Sequence, residues 1–236
     1  MAEGPKLLAE AVDCGAPIDT VFLDSEAAGP GPRDLARRAA EAGAVVVEAA
    51  PGALARACES ASPQPVAAII AMGDVTLVDT AAGPSPIVVA VGLQDPGNAG
   101  AVLRSAAASG AGGAVFCEGC VDLYHPKSVR ASAGAVFRLR FTMAGPPESV
   151  LREVGALGLF RWATAARLGE DYTSVDLVTP AALVLGNEAS GLPADLDGLI
   201  DGRLTIPLAG GMESLNVAMA AAVLCFEAAR QRRAAA

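Results

Sequence analysis

The 236-residue sequence predicts an α/β fold, a mainly parallel-sheet domain preceded by a smaller α/β domain. Three observations carry that prediction. Apolar, β-rich runs alternate with helical patterns almost throughout, which is how strands and crossover helices follow one another in parallel sheets. Prolines and glycines punctuate the helices, with Pro32 and Pro147 near starts and Gly43 and Gly110 at stops. The segment Asp79–Pro86, DTAAGPSP, is rich in small residues, glycine and proline and reads as a linker. It separates a first domain, residues 1–80, from a second, residues 84–236.

In chain order, helical patterning predicts a helix over Pro5–Cys14, and the run TVFL predicts a strand over Thr20–Leu23. A helix over Arg33–Ala42 and a strand over Ala44–Val47 (AVVV) follow. A helix over Gly52–Ser60 and a strand over Val66–Ala71 (VAAIIA) complete the first domain. The second begins with strand Ile87–Val91 (IVVAV), helix Ala99–Ser109 and strand Ala114–Cys117 (AVFC). Helix Ser149–Leu157 then leads to strands Leu159–Ala163, Ala182–Leu185 and Leu204–Pro207, and the chain ends in a helix over Leu215–Arg232.

Composition narrows the class. Hydrophobic residues make up 53%, which argues against disorder. No uninterrupted apolar run approaches the roughly 18 residues of a membrane span. MAEGPKLLAE lacks the basic and apolar regions of a signal peptide. A soluble, cytoplasmic protein without membrane association is therefore expected. Five scattered cysteines, Cys14, Cys58, Cys117, Cys120 and Cys225, fit a reducing compartment. Cys117 and Cys120 form a lone CxxC spacing that lacks two of zinc's usual four ligands, so no metal is expected.

The net charge of −9 argues against a broad nucleic-acid-coating surface. Local basic clusters remain: Arg33, Arg37 and Arg38; Lys127, Arg130, Arg138 and Arg140; Arg230, Arg232 and Arg233. The first and last read equally as solvated helix faces. No G-x-G-x-x-G follows a strand and no phosphate-loop motif occurs, which excludes the common nucleotide folds and leaves an NAD-dependent oxidoreductase unsupported. His125 is the only histidine, and no nucleophile elbow accompanies it.

The chemistry concentrates in three polar stretches, each after a predicted strand of the second domain. The first is GLQDPGNAGAVLRSAAASG, where Asp95, Gly97 and Asn98 turn into a helix that carries Arg104. The second is LVLGNEASGLP, a strand entering a glycine-bounded loop around Glu188. The third is IPLAGGMESLNV, where polar Glu213, Ser214 and Asn216 open an otherwise apolar helix. In a parallel sheet such loops share the carboxyl edge, where ligands bind. Taken singly, each stretch also reads as an ordinary turn, cap or solvated loop.

Taken together and in this order, they resemble the SpoU/TrmH family of RNA ribose methyltransferases within the SPOUT superfamily. An Asn-x-Gly helix start with Arg six residues later is matched by Asn98, Gly100 and Arg104. A strand ending in Gly-x-Glu-x-x-Gly-Leu is matched by Gly186, Glu188, Gly191 and Leu192. Ile-Pro followed by Ser-Leu-Asn-Val is matched by Ile206, Pro207, Ser214, Leu215, Asn216 and Val217. The segment Val121–Leu139 is also similar, so the resemblance covers residues 86–232. The first domain resembles, more weakly, the family's small RNA-binding domain.

The resemblance implies a trefoil-knotted catalytic domain that uses S-adenosylmethionine (AdoMet) and acts as a homodimer. It implies methyl transfer to a ribose 2′-hydroxyl of structured RNA, rRNA ahead of tRNA. DNA, which lacks that hydroxyl, is not expected as a substrate. A non-catalytic RNA-binding module that kept the fold is the alternative. The implied catalytic residues are Arg104, Asn98, Glu188, Ser214 and Asn216. The implied cofactor residues are Gly186, Asn187, Glu188, Ile206, Leu208, Ser214, Leu215 and Asn216. A guanidinium is a poor base, so Arg104 is expected as a phosphate and oxyanion clamp. Similar chains carry a basic N-terminal arm before the segment matching AEGPKLLAEA. Either this sequence begins inside a longer chain or RNA contacts from such an arm are absent.

Overall fold

The computed structural model describes residues 1–58, 62–73 and 75–235. Its first part contains β1 (Ala2–Glu3), α1 (Pro5–Asp13), β2 (Ile18–Leu23), α2 (Pro30–Glu41), β3 (Val45–Glu48), α3 (Ala53–Ala57) and β4 (Val66–Ile70). The predicted end of the third helix at Ser60 lies outside the described residues. These strands form a sheet in the order β1-β4-β2-β3. β2 and β3 are parallel, and β4 is antiparallel to both β1 and β2. Leu8 of α1 and Ala36 and Ala39 of α2 cover Val21, Leu23, Val66 and Ala68 of this sheet. β3 is an exposed edge, with Val45 at 60% exposure.

The second part begins with α4 (Leu77–Ala81), β5 (Ile87–Ala90), α5 (Pro96–Ser109), β6 (Ala114–Phe116), α6 (Pro126–Ser132), α7 (Ala135–Arg138) and β7 (Phe141–Met143). It continues with α8 (Pro147–Ala156), β8 (Phe160–Thr164), β9 (Glu170–Asp171), β10 (Ala181–Leu185), a 3-10 helix (Ala194–Leu199), β11 (Gly202–Thr205) and α9 (Val217–Ala235). Seven strands form one parallel sheet in the order β7-β6-β5-β10-β8-β11-β9. Its central strands β5, β6 and β10 are buried on both faces, as parallel strands normally are. One face packs against α5, α6, α7 and α9 through residues such as Leu103, Val129, Val136 and Leu224. The other packs against α4, α8 and the 3-10 helix through Leu77, Leu151, Val154 and Leu196. Each fully buried leucine contributes about 1.5–3 kcal/mol by leaving water.

The chain lays down β5, β6 and β7 toward one edge, then crosses to β8 and returns to insert β10 between β5 and β8. That reversal opens a crevice at the carboxyl ends of the strands, the place where open α/β sheets bind ligands. The loops after β5, β8, β10 and β11 all meet there.

Two sequence expectations need correction. Asp79–Pro86 is not a free linker. Asp79 to Ala81 are helical, Leu77 and Thr80 are buried, and α4 lies against β6 and β7. The connection between the two sheets therefore precedes α4. The two parts also touch directly, through α6 against β1 and the ion pairs Arg130–Glu3 at 3.7 Å and Arg138–Glu10 at 2.6 Å. The terminal helix starts at Val217, not Leu215, because Asn216 caps it. Asn216 Oδ1 accepts the N–H groups of Ala218 at 2.9 Å and Met219 at 3.4 Å. Nor is that helix buried all round: Met219 and Phe226 are 63% and 48% exposed.

The basic clusters largely dissolve into local pairs. Arg37 meets Asp34 and Glu41, Arg38 meets Asp13, and Arg33 donates to the carbonyls of Ser25 and Ala28. Arg230 pairs with the buried Glu227, and Arg232 donates to the carbonyls of Ser109 and Gly110 at the end of α5. In these two clusters Arg37, Arg38 and Arg230 are thus paired with carboxylates, while Arg33 and Arg232 are held by backbone carbonyls.

Candidate active site

The loop after β5 becomes α5 through an N-cap. Asp95 accepts the Asn98 N–H at 2.8 Å, Pro96 takes the first helical position, and Gly110 ends the helix in the left-handed conformation at φ 73°. The carboxylate of Asp95 also meets Lys127 Nζ at 3.1 Å. Hydrogen bonds from the Asn98 backbone and Lys127 hold the Asp95 carboxyl below the usual carboxylate range. Gly100 serves packing: a Cβ there would lie 2.3 Å from the Ser128 carbonyl oxygen of α6.

The loop after β10 folds back on itself. Asn187 and Gly191 exchange backbone hydrogen bonds at 3.0 and 2.9 Å. The Asn187 side chain is consumed within the scaffold. Its Nδ2 donates to the Gly92 carbonyl at 2.7 Å, and its Oδ1 accepts from Ala189 N, Ser190 N and Ser190 Oγ. This ties the second loop to the first and presents Glu188 at the tip. Asn187, expected among the cofactor residues, spends its side chain as a brace.

Three side chains from three loops form one polar chain. Asn216 Nδ2 donates to Asn98 Oδ1 at 2.9 Å, and Asn98 Nδ2 donates to Glu188 Oε1 at 3.0 Å. Beside it lies a cleft of about 350 Å³, within the range of small-molecule sites. Gly186, Asn187, Glu188, Ile206, Leu208, Ser214 and Leu215, all expected at the site, line it. Thr164, Ala165 and Ala166 line it too, and the sequence reading missed them. Their signal was that β8 also ends at this edge, but only the insertion of β10 beside β8 makes them neighbours.

Asn98 and Asn216, also expected at the site, stand beside the cleft without lining it, and Arg104 is not brought to it by its own chain. It lies six residues beyond Asn98, about 9 Å along α5 and about 120° away around it. It is exposed, makes no ion pair among the described residues, and borders a separate cavity with Glu10, Ser132 and Arg138.

Three cysteines, Cys117, Cys120 and Cys225, are structural. Cys120 Sγ accepts from Leu93 N at 3.3 Å and donates to the Ala90 carbonyl at 3.4 Å. Burial pushes the Cys117 and Cys225 thiols up to about 12, which keeps them protonated. Among the described residues no group of three or more His, Cys, Asp or Glu could hold a metal ion.

Comparison with known proteins agrees with this geometry. Residues 85–226 match the SpoU rRNA Methylase family, and residues 1–74 match the RNA 2′-O ribose methyltransferase substrate-binding family. The chain belongs to the SpoU rRNA methylase family. A 23S rRNA (guanosine(2553)-2′-O)-methyltransferase of Bacillus subtilis is 30% identical over 96% of this chain and 86% of its own. A 23S rRNA guanosine-2′-O-methyltransferase of Xanthomonas axonopodis is 38% identical, over 66% of this chain and 63% of its own. The SpoU methyltransferase AviRb from Streptomyces viridochromogenes, solved with AdoMet, superposes with a TM-score of 0.88 at 30% identity, covering 98% of this chain and 89% of that one. An AdoMet-bound rRNA methyltransferase from Sinorhizobium meliloti gives 0.84 at 30% identity, covering 98% and 86%.

The cleft suits AdoMet on its own chemistry. Ile206, Leu208, Leu215, Val217 and Leu224 offer an apolar wall for a purine and an aliphatic chain, while Ser214, Thr164 and Glu188 offer polar contacts. Gly186 lets the Gly191 backbone approach so closely that no side chain would fit between them.

Proposed function

We propose that this protein transfers the methyl group of AdoMet to a ribose 2′-hydroxyl of ribosomal RNA. The observation that carries the reading is the Asn98–Glu188–Asn216 chain beside the glycine-walled cleft of a SpoU-family sheet. Bound AdoMet supplies an electrophilic methyl group on a sulfonium centre. The protein's task is to align the incoming oxygen with that carbon, so positioning supplies much of the rate. Ile206, Leu208 and Leu215 hold the cofactor's apolar parts, and Gly186 and the braced Asn187 loop shape the wall behind it. Ser214 and Asn216 face the reacting end.

Arg104 acts as the clamp for phosphate and developing oxyanion charge. Since it lies away from its own chain's cleft, it serves the cleft of a second copy. The homodimer follows from the same reading, with the exposed apolar residues Met219 and Phe226 of α9 at its interface. Family membership also implies a trefoil knot around α9. Contacts that support this are Gln231 Nε2 to the Val175 carbonyl at 3.0 Å and Leu177 N to Gln231 Oε1 at 2.9 Å, which clip the crossing before β10 onto that helix. Division into an RNA-binding part and a catalytic part, drawn at residues 1–80 and 84–236 from the sequence, is better placed before α4. A cytoplasmic site of action is part of the reading; no described helix is long and apolar enough to cross a membrane.

Two measurements test the proposal. Calorimetry should show AdoMet binding that persists in excess chelator. Incubation with labelled AdoMet and separate rRNA and tRNA pools, followed by ribose-methylation mapping, should find one 2′-O-methyl site in rRNA. Binding of AdoMet without transfer to any RNA would instead establish a non-catalytic RNA-binding module.

A further inference from the structure

The polar chain has a fixed direction. Asn216 Oδ1 is committed as an acceptor, because it takes the N–H groups that open α9. Its Nδ2 is therefore the end that meets Asn98, and it donates to Asn98 Oδ1. That turns the Asn98 amide so that its Nδ2 donates to Glu188 Oε1. An N–H aimed at Oε1 needs an acceptor lone pair there, which leaves Oε2 as the oxygen turned away from the relay. Glu188 Oε2 accepts no hydrogen bond from any described residue, and Glu188 lines the cofactor cleft.

Other bases near this edge are spoken for or unaimed. Asp95 accepts the Asn98 N–H and pairs with Lys127. His125 Nδ1 accepts the Lys127 N–H as the cap of α6. Glu213 is exposed, and no described residue orients it. A guanidinium does not deprotonate in proteins, which leaves Arg104 as a charge and not a base.

We propose that Glu188 Oε2 is the proton acceptor for the ribose 2′-hydroxyl, aimed by an amide relay that starts at the cap of α9. The inference rests on the ribose-methyltransferase reading. In the transfer, the 2′-O–H bond breaks and its proton passes to Glu188 Oε2. The oxygen's electron pair forms the new bond to the methyl carbon while the sulfur–carbon bond breaks and its pair stays on sulfur. The Glu188 carboxylic acid then yields the proton to water. Asn98 and Asn216 are positioning residues in this scheme.

Glu188→Gln is the first test. It keeps an acceptor oxygen for Asn98 Nδ2, so the Asn98 and Asn216 side-chain amide resonances should keep their hydrogen-bonded shifts, and because Glu188 also lines the cofactor cleft, transfer is compared at saturating AdoMet. Single-turnover methyl transfer to rRNA should fall about 10²- to 10⁴-fold, the usual contribution of a general base. Glu188→Gly should regain part of that rate in a formate-dependent manner, and chloride at equal ionic strength should not replace formate. Transfer by Glu188→Gln within threefold of wild type overturns the assignment. So does a folded, AdoMet-binding Glu188→Gly that formate does not rescue. If the wild type itself transfers to no RNA, the ribose-methyltransferase reading fails, and this assignment with it.

Discussion

A single methyl group at Gly186 should show how far the cleft depends on the folded-back loop. A Cβ there would lie 2.5 Å from Gly191 C, 2.6 Å from Leu192 N and 2.8 Å from Gly191 O. All three are backbone atoms, pinned by the reciprocal hydrogen bonds between Asn187 and Gly191. Non-bonded carbons prefer about 3.5–4.0 Å, so the loop must withdraw by about 1 Å. Overpacking of this kind costs about 1–3 kcal/mol. Taking about 2 kcal/mol, Tm should fall by roughly 4–8 °C for a chain of this size. Withdrawal also moves Glu188 and the Asn187 brace, so the same strain should weaken AdoMet up to about 30-fold. Gly198→Ala is the control, because nothing lies within 4 Å of its added Cβ. It should change stability by no more than about 0.5 kcal/mol. Scanning calorimetry and AdoMet titration on both variants read the result. Wild-type Tm together with wild-type affinity in Gly186→Ala would refute the reasoning.

Three further perturbations probe other parts. Arg104→Ala should leave Tm and AdoMet affinity almost unchanged, since the side chain is exposed and has no ion-pair partner among the described residues, yet cut single-turnover transfer about 100-fold or more. Arg104→Lys should rescue little; transfer near the wild-type rate in Arg104→Ala would remove Arg104 from the site. Asp201 accepts a fork from Arg161 at 2.7 Å on both oxygens plus the Arg161 N–H at 2.8 Å, and that pairing holds its carboxyl below the usual range. A depressed folded pKa means the stabilisation is complete above the unfolded value near pH 4 and is lost as pH falls through the lower folded value. Asp201→Asn should thus cost about 1–2 kcal/mol at pH 7 and progressively less below pH 4 by urea unfolding; a constant difference across pH would contradict this. Finally, light scattering should give the wild type twice the chain mass, and Phe226→Glu or Met219→Glu should give monomers without methyl transfer. A monomeric wild type at assay concentration would count against the shared site.

What the sequence determined by itself is what a turn or two of chain can encode. The helix expected over Ala99–Ser109 was legible because Gly110 sets its end, although the structure starts it three residues earlier, at Pro96 behind the Asp95 cap. The buried strands were legible as apolar runs, and parallel strands end at one edge, which grouped Asn98, Glu188 and Asn216 before any coordinates. Short elements were not legible: Phe141–Met143 and Leu77–Ala81 carry too few residues for a period and are held by neighbours distant in sequence. Nor could the sequence show that Arg33, Arg37 and Arg38 find local partners, or that Thr164 reaches the cleft. The orientation of the site belongs to the tertiary structure alone. Asn98 meets Glu188 across 90 residues and Asn216 across 118, and only the insertion of β10 beside β5 brings them within hydrogen-bond reach. The sense of each amide is then dictated by the cap of α9, because a hydrogen bond has a direction that residue identity does not specify.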